Sequence, residues 1–96
     1  MELITARDKL PTLYGQENVA DPIVHARLFD PCGSFTWFVL EFDGNDLMFT
    51  FVTSNLCPEG EFGYTSLSEL KSVRNRFGLG IERDIHFDQK PLSKCK

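Results

Sequence analysis

Cysteine is scarce in this chain and poorly spaced for chemistry: Cys32, Cys57 and Cys95 are odd in number, far apart and contain no C-x-x-C pair. That pattern offers no disulfide framework and fits a reducing compartment. Long apolar runs are missing, and no basic segment followed by an apolar one opens the chain, so neither a membrane span nor a secretory signal is expected. Positive charge is in deficit. Ten Lys and Arg against fourteen Asp and Glu leave a net charge of −4, which removes any whole-chain attraction to phosphate backbones. The expectation is a soluble cytoplasmic protein without direct nucleic-acid binding. Repeats and low-complexity segments are lacking too.

What is present suits a folded globule. Of 96 residues, 42% are hydrophobic, with nine Phe and one Trp. Residues 1–96 make one domain with a single modest core in which aromatic rings carry much of the packing. The length leaves no room for a catalytic domain with a separate substrate domain.

Thr5 is a candidate N-cap for a short helix ending near Leu10, before Pro11 and a turn at Tyr14-Gly15. Asp21-Pro22 precedes a first strand over 23–29, in which His25 and Arg27 share a face, and Asp30-Pro31-Cys32-Gly33 closes it. A long strand over 34–42 places Phe35, Trp37 and Val39 on one face and Phe38, Leu40 and Phe42 on the other. Asp43-Gly44-Asn45-Asp46 turns it into a return strand over 47–52. Because both faces are apolar, this hairpin is expected to be central, with a helix covering at least one side.

Ser66 and Glu69 stand at capping-box spacing before Leu67, Leu70, Val73 and Phe77, so a strand over 62–65 is expected to run directly into a capped helix over 67–77. Gly78 occupies the place of a left-handed C-cap. A last extended segment follows over 81–87, and residues 88–96 read as a loosely held tail. The sum is an α+β domain: a mostly antiparallel sheet of four or five strands packed with two helices.

The motifs Leu10-Pro11-Thr12-Leu13-Tyr14, Thr36-Trp37-Phe38-Val39-Leu40-Glu41, Glu61-Phe62-Gly63-Tyr64, Ser66-Leu67-Ser68-Glu69-Leu70 and Ile81-Glu82-Arg83-Asp84, with Asp21-Pro22, occur in this order. They resemble a family of small bacterial proteins catalogued as a domain of unknown function, met on plasmids, integrative elements and phages. Thr50 departs from the pattern, which leads one to expect a small residue such as glycine there. The resemblance implies a setting rather than an activity: small accessory proteins of mobile elements help transfer or blunt host immunity.

The sharpest enzymatic grouping is Glu41, Glu61, Asp84 and His86, joined by Glu82, as acid/base groups or ligands of a divalent ion. Alternation on an extended strand puts Glu82, Asp84 and His86 on one face, which more often is simply wet. It directs Arg83 inward, where a structural ion pair with Glu41 or Glu61 is expected ahead of a small-anion site. Zinc or nucleophilic pairings of the cysteines with His25 or His86 have no spacing to recommend them, and no metal or cofactor is expected. Lys71, Arg74 and Arg76 read as a solvated helix face. Trp37 and the phenylalanines read as core rather than a base-stacking platform, since the hairpin's neighbours are acidic.

Glu41, Asp43, Asp46, Glu59 and Glu61 form an acidic set whose ordinary role is solubility, but which also suits a basic protein partner. The reading that results is a non-enzymatic accessory protein of a mobile element. It would bind a protein partner through that acidic surface, such as a host defence or nucleic-acid-handling complex, in the manner of an anti-defence or anti-CRISPR protein. The alternatives are a small hydrolase or metal-dependent enzyme built on the carboxylate/His set, and an anion binder built on Arg83.

Overall fold

Local side chains shape the hairpin at the middle of the chain. Asp43 Oδ1 accepts from the backbone N–H groups of Asn45 (2.8 Å), Asp46 (2.8 Å) and Leu47 (3.1 Å), and Gly44 supplies the positive φ of 86° that the turn needs. The computed structural model describes residues 3–4, 10, 21–31, 33–74, 78 and 80–95. The strands are β1 (Ile23–Val24), β2 (Ala26–Phe29), β3 (Thr36–Phe42), β4 (Leu47–Thr53), β5 (Glu61–Ser66), β6 (Glu82–Arg83) and β7 (Lys90–Pro91). One helix, α1 (Leu67–Ser72), follows β5, and a 3₁₀ turn at Leu92–Lys94 follows β7.

Five strands form an antiparallel sheet in the order β5-β4-β3-β2-β6, and β1 pairs with β7 in a separate ribbon. The expected α+β class with a mostly antiparallel sheet is what the chain builds, and the hairpin β3–β4 is central as its two apolar faces require. The expected first strand is split: Ile23–Val24 pairs with the C-terminal β7, while Ala26–Phe29 pairs with β3.

Each sheet face has its own core. On one, Ala26, Leu28, Val39 and Met48 pack with Leu67 and Leu70 of α1 and with Leu3, Ile4 and Ile81. On the other, Phe38, Leu40 and Phe51 pack with Val24 and Leu92. Burying each such side chain stabilises the fold by about 1.5–3 kcal/mol before entropy is counted. A β-bulge in β3 sets which residue meets which core: Val39 opposes Thr50 but Glu41 opposes Phe49. Past the bulge Phe42 joins the Leu28 face, not the Phe38 face that unbroken alternation predicts.

The helical expectation needs correction. Among the described residues there is a single short α-helix rather than two; residues 5–9 of the expected first helix and the expected Tyr14-Gly15 turn lie outside them. Ser66 is the N-cap as predicted, its Oγ accepting from Glu69 N at 3.3 Å. The helix ends at Ser72, however, not Phe77. Val73 is extended, Arg74 Nη1 donates to the carbonyls of Lys71 and Val73 at 2.7 Å, and Ser72 Oγ donates to Glu69 O at 2.8 Å. These side chains satisfy the last carbonyls that another turn would have used. Gly78 keeps its positive φ of 78° but does not cap α1; Arg76 and Phe77 lie outside the described residues.

The C-terminal segment, expected to be loose, is docked. Leu92 is buried at 3% exposure, Leu92 N donates to Pro22 O (2.9 Å), and Ser93 Oγ donates to Asp21 Oδ2 (2.6 Å). Leu92, in the 3₁₀ turn after β7, closes the second core, which composition alone does not reveal.

Candidate functional site

The sheet order distributes the carboxylates rather than gathering them. Glu61 lies on β5 at one edge, whereas Asp84 and His86 follow β6 at the other, four strand spacings away or roughly 19 Å. Glu41 is buried at 3% exposure on β3. The expected row Glu82, Asp84, His86 does not form either, because the chain turns after β6: Phe87 N donates to Asp84 O (3.2 Å) and His86 N to Asp84 Oδ1 (3.0 Å). Among the described residues no group of three or more His, Cys, Asp or Glu is placed to hold a metal ion.

Arg83 opposes Leu28 across β2–β6, is half-buried as alternation requires, and donates to Leu3 O at 3.3 Å. Of its expected partners, Glu61 stands on the opposite edge of the sheet and Glu41 lies opposite Phe49 beyond the bulge. An ion pair between Arg27 of β2 and Asp84, just after β6, fastens the β6 edge of the sheet. Arg27 Nη1 lies 3.2 Å from Asp84 Oδ2, Asp84 N donates to Arg27 O (2.9 Å), and the Arg27 guanidinium sits 5.0 Å from the centre of the Phe29 ring.

The acidic set divides by use. Asp43 is occupied in the hairpin, and those backbone bonds hold its carboxyl below the usual value. Asp46 spans the hairpin and the helix: Ser66 Oγ donates to its Oδ2 (2.6 Å), Ser68 N to its Oδ1 (2.7 Å) and Leu67 N to its backbone carbonyl (2.8 Å). Its carboxyl is lowered first by the Ser66 hydroxyl and then by Ser68. Glu59 and Glu61 are exposed and flank a turn, where Cys57 Sγ donates to Glu61 Oε1 at 3.7 Å.

Neither described thiol is activated. Burial pushes both Cys57 and Cys95 upward, so each is neutral at physiological pH, and Cys32 lies outside the described residues.

Exposed apolar residues stand out more than any polar cluster. Phe62 and Tyr64, on the outer strand β5, are 53% and 51% exposed. They share a face by the period of two and contact Phe49, with ring centres 5.8 and 5.1 Å away; Phe62 also meets Phe51 edge-on at 4.9 Å. Phe62 is thus not core, contrary to the expectation for the phenylalanines, and Tyr64 is expected only as part of a strand. Their alternation with Glu61, Gly63 and Thr65 is the signal that marks an aromatic stripe, but burial cannot be read from it.

Along the same face Phe38 and Phe51 form the floor of a cavity of about 330 Å³, bounded by Thr53, Pro58, Glu59 and Cys95. Gly60, at φ 82°, lies so close to Phe51 that a Cβ there would be 2.3 Å from the ring. The turn carrying Glu59 is thereby held against the aromatic floor. Lys71 on α1 and Arg74 just beyond it are exposed, and no helix among the described residues is long and apolar enough to cross a membrane.

A family model described as a protein of unknown function, DUF2958, matches residues 4–95. No curated protein and no solved structure matches the chain.

Proposed function

The chain belongs to the DUF2958 family, and from that premise we propose that it is a small non-enzymatic accessory protein that acts in the cytoplasm by binding another protein. The observation that carries the reading is the half-exposed pair Phe62 and Tyr64 on an outer strand, both in ring contact with Phe49, with exposed Glu59 and Glu61 next to them in the chain. Aromatic residues left in water beside acids suit a partner with a basic surface, which they engage by apolar contact, cation–π attraction and charge complementarity. The basic nucleic-acid groove of a host defence complex is the partner of that chemistry that best fits a small acidic protein of a mobile element. Asp43 and Asp46 belong to this surface only weakly, because their carboxylates are engaged within the fold.

The test is comparative capture from a bacterial lysate with tagged wild type and with Phe62→Ser/Tyr64→Ser. A basic protein retained by the wild type should be lost with the double variant, should dissociate at high salt and should be displaced by added nucleic acid. Retention that is indifferent to both the substitution and salt sinks the reading.

A further inference from the structure

We propose that the cavity beside Glu59 accepts an arginine side chain of the protein partner. The inference rests on the reading of the chain as a protein-binding module and gives that surface a specific anchor point.

The cavity floor is aromatic and fixed: Phe38 and Phe51 oppose each other in the β3–β4 register and are only 7% and 3% exposed. One wall is the turn that presents Pro58 and Glu59. It is closed by Ser54 N to Cys57 O (3.3 Å), Cys57 N to Ser54 O (3.2 Å) and Gly60 N to Cys57 O (3.1 Å). Close contact of Gly60 with the Phe51 ring sets this turn, and with it Glu59, against the sheet. Among the described residues that bound the cavity, Glu59 is the one that carries a charge.

Among the described residues two nearby charges of opposite sign, Lys90 and Asp21, act on Cys95 in the cavity lining. Burial raises the Cys95 thiol and keeps it neutral, and Thr53 is also part of the lining. Cys57, in the same turn, is raised by burial and further by the fields of Glu59 and Glu61, which reports a locally negative potential. Arg27, the cation on the neighbouring strand, is already paired with Asp84.

Arginine fits this combination better than lysine does. Its guanidinium is planar and weakly hydrated and can pair through two N–H groups with one carboxylate, whereas an ammonium is compact and strongly hydrated. The Phe51 ring touches exposed Phe62, so the cavity adjoins the aromatic surface, and a partner seated on Phe62 and Tyr64 has the cavity one strand away.

The probe is N-acetyl-L-arginine amide titrated into the full chain, followed by backbone amide shifts, with N-acetyl-L-citrulline amide as the neutral control of matching shape. Saturable shifts at Thr53, Glu59, Gly60 and Cys95 are expected, with citrulline binding about fivefold more weakly, as loss of one partly solvated ion pair implies. Glu59→Gln should erase that difference without changing Tm, because Glu59 is exposed. No saturable shift at these residues, equal binding of the two probes, or a preference that survives Glu59→Gln overturns the proposal. Since the probe needs no partner, its failure alongside intact Phe62/Tyr64-dependent capture rejects only the arginine anchor. Probe binding without such capture rejects the wider reading instead.

Discussion

The Asp46 carboxylate accepts a hydrogen bond from the Ser66 hydroxyl at 2.6 Å, linking the central hairpin to the first turn of α1. Together with Ser68 N on Oδ1 and Leu67 N on the Asp46 carbonyl, this contact satisfies donors at the helix start that Ser66 alone cannot reach. A residue that reads in sequence as surface charge is thus a joint of the fold.

Asp46→Asn should lower Tm at neutral pH and flatten its dependence on acid. The carboxyls of Asp43 and Asp46 are lowered in the folded state from 3.8, so their contribution is fully present above the unfolded-state value. It is lost as the pH falls through the folded-state values. Thermal unfolding from pH 2 to 6 should show the wild type losing stability below about pH 4, with a shallower loss in the variant. Identical curves would remove Asp46 from the stability account.

Arg27 and Asp84 should be coupled. Their side chains are 32% and 29% exposed, so solvent weakens the pair without abolishing it. A double-mutant cycle with Arg27→Met and Asp84→Asn should give a coupling of about 0.5–1 kcal/mol that shrinks with added salt. The same cycle on Arg83 and Glu61 should give none, since they stand at opposite edges.

Gly60→Ala should destabilise by about 2–4 kcal/mol, combining a positive φ with overpacking against a buried ring. The φ is 82°, and the added carbon would lie 2.3 Å from Phe51 Cε2 and Cζ. Gly44→Ala shares the positive φ but meets no atom within 4 Å, so a smaller loss in denaturant midpoint is expected there. Equal losses would show that backbone strain alone matters.

Leu92→Ala should cost about 2–4 kcal/mol in chemical denaturation, the range for emptying a buried leucine site. A change below a few tenths would mean that the C-terminal segment adds little to the second core, despite its pairing with β1.

Legibility followed range. The turn at Asp43–Asp46 and the Ser66 cap were readable because each is decided within a few residues, by an Asx acceptor, a glycine and a capping hydroxyl. Central placement of β3 and β4 followed from apolar residues on both faces. The partner of Arg83 was not readable: alternation gives the side it points to, but only strand order says what lies there. The aromatic surface escaped for a similar reason, as Phe62 looks like Phe51 in sequence yet is 53% exposed against 3%.

The sequence by itself determined the α+β class, the hairpin and the strand-to-helix junction, because local periodicity, turn residues and capping groups act over a few positions. Tertiary structure decided the rest. The bulge at Val39/Glu41 reassigned faces, the order β5-β4-β3-β2-β6 separated Glu61 from Arg83, and docking of Leu92 closed the second core. Those outcomes depend on contacts between residues distant in the chain, where the free energy of burying surface selects the pairing and a single sequence carries no local mark of the choice.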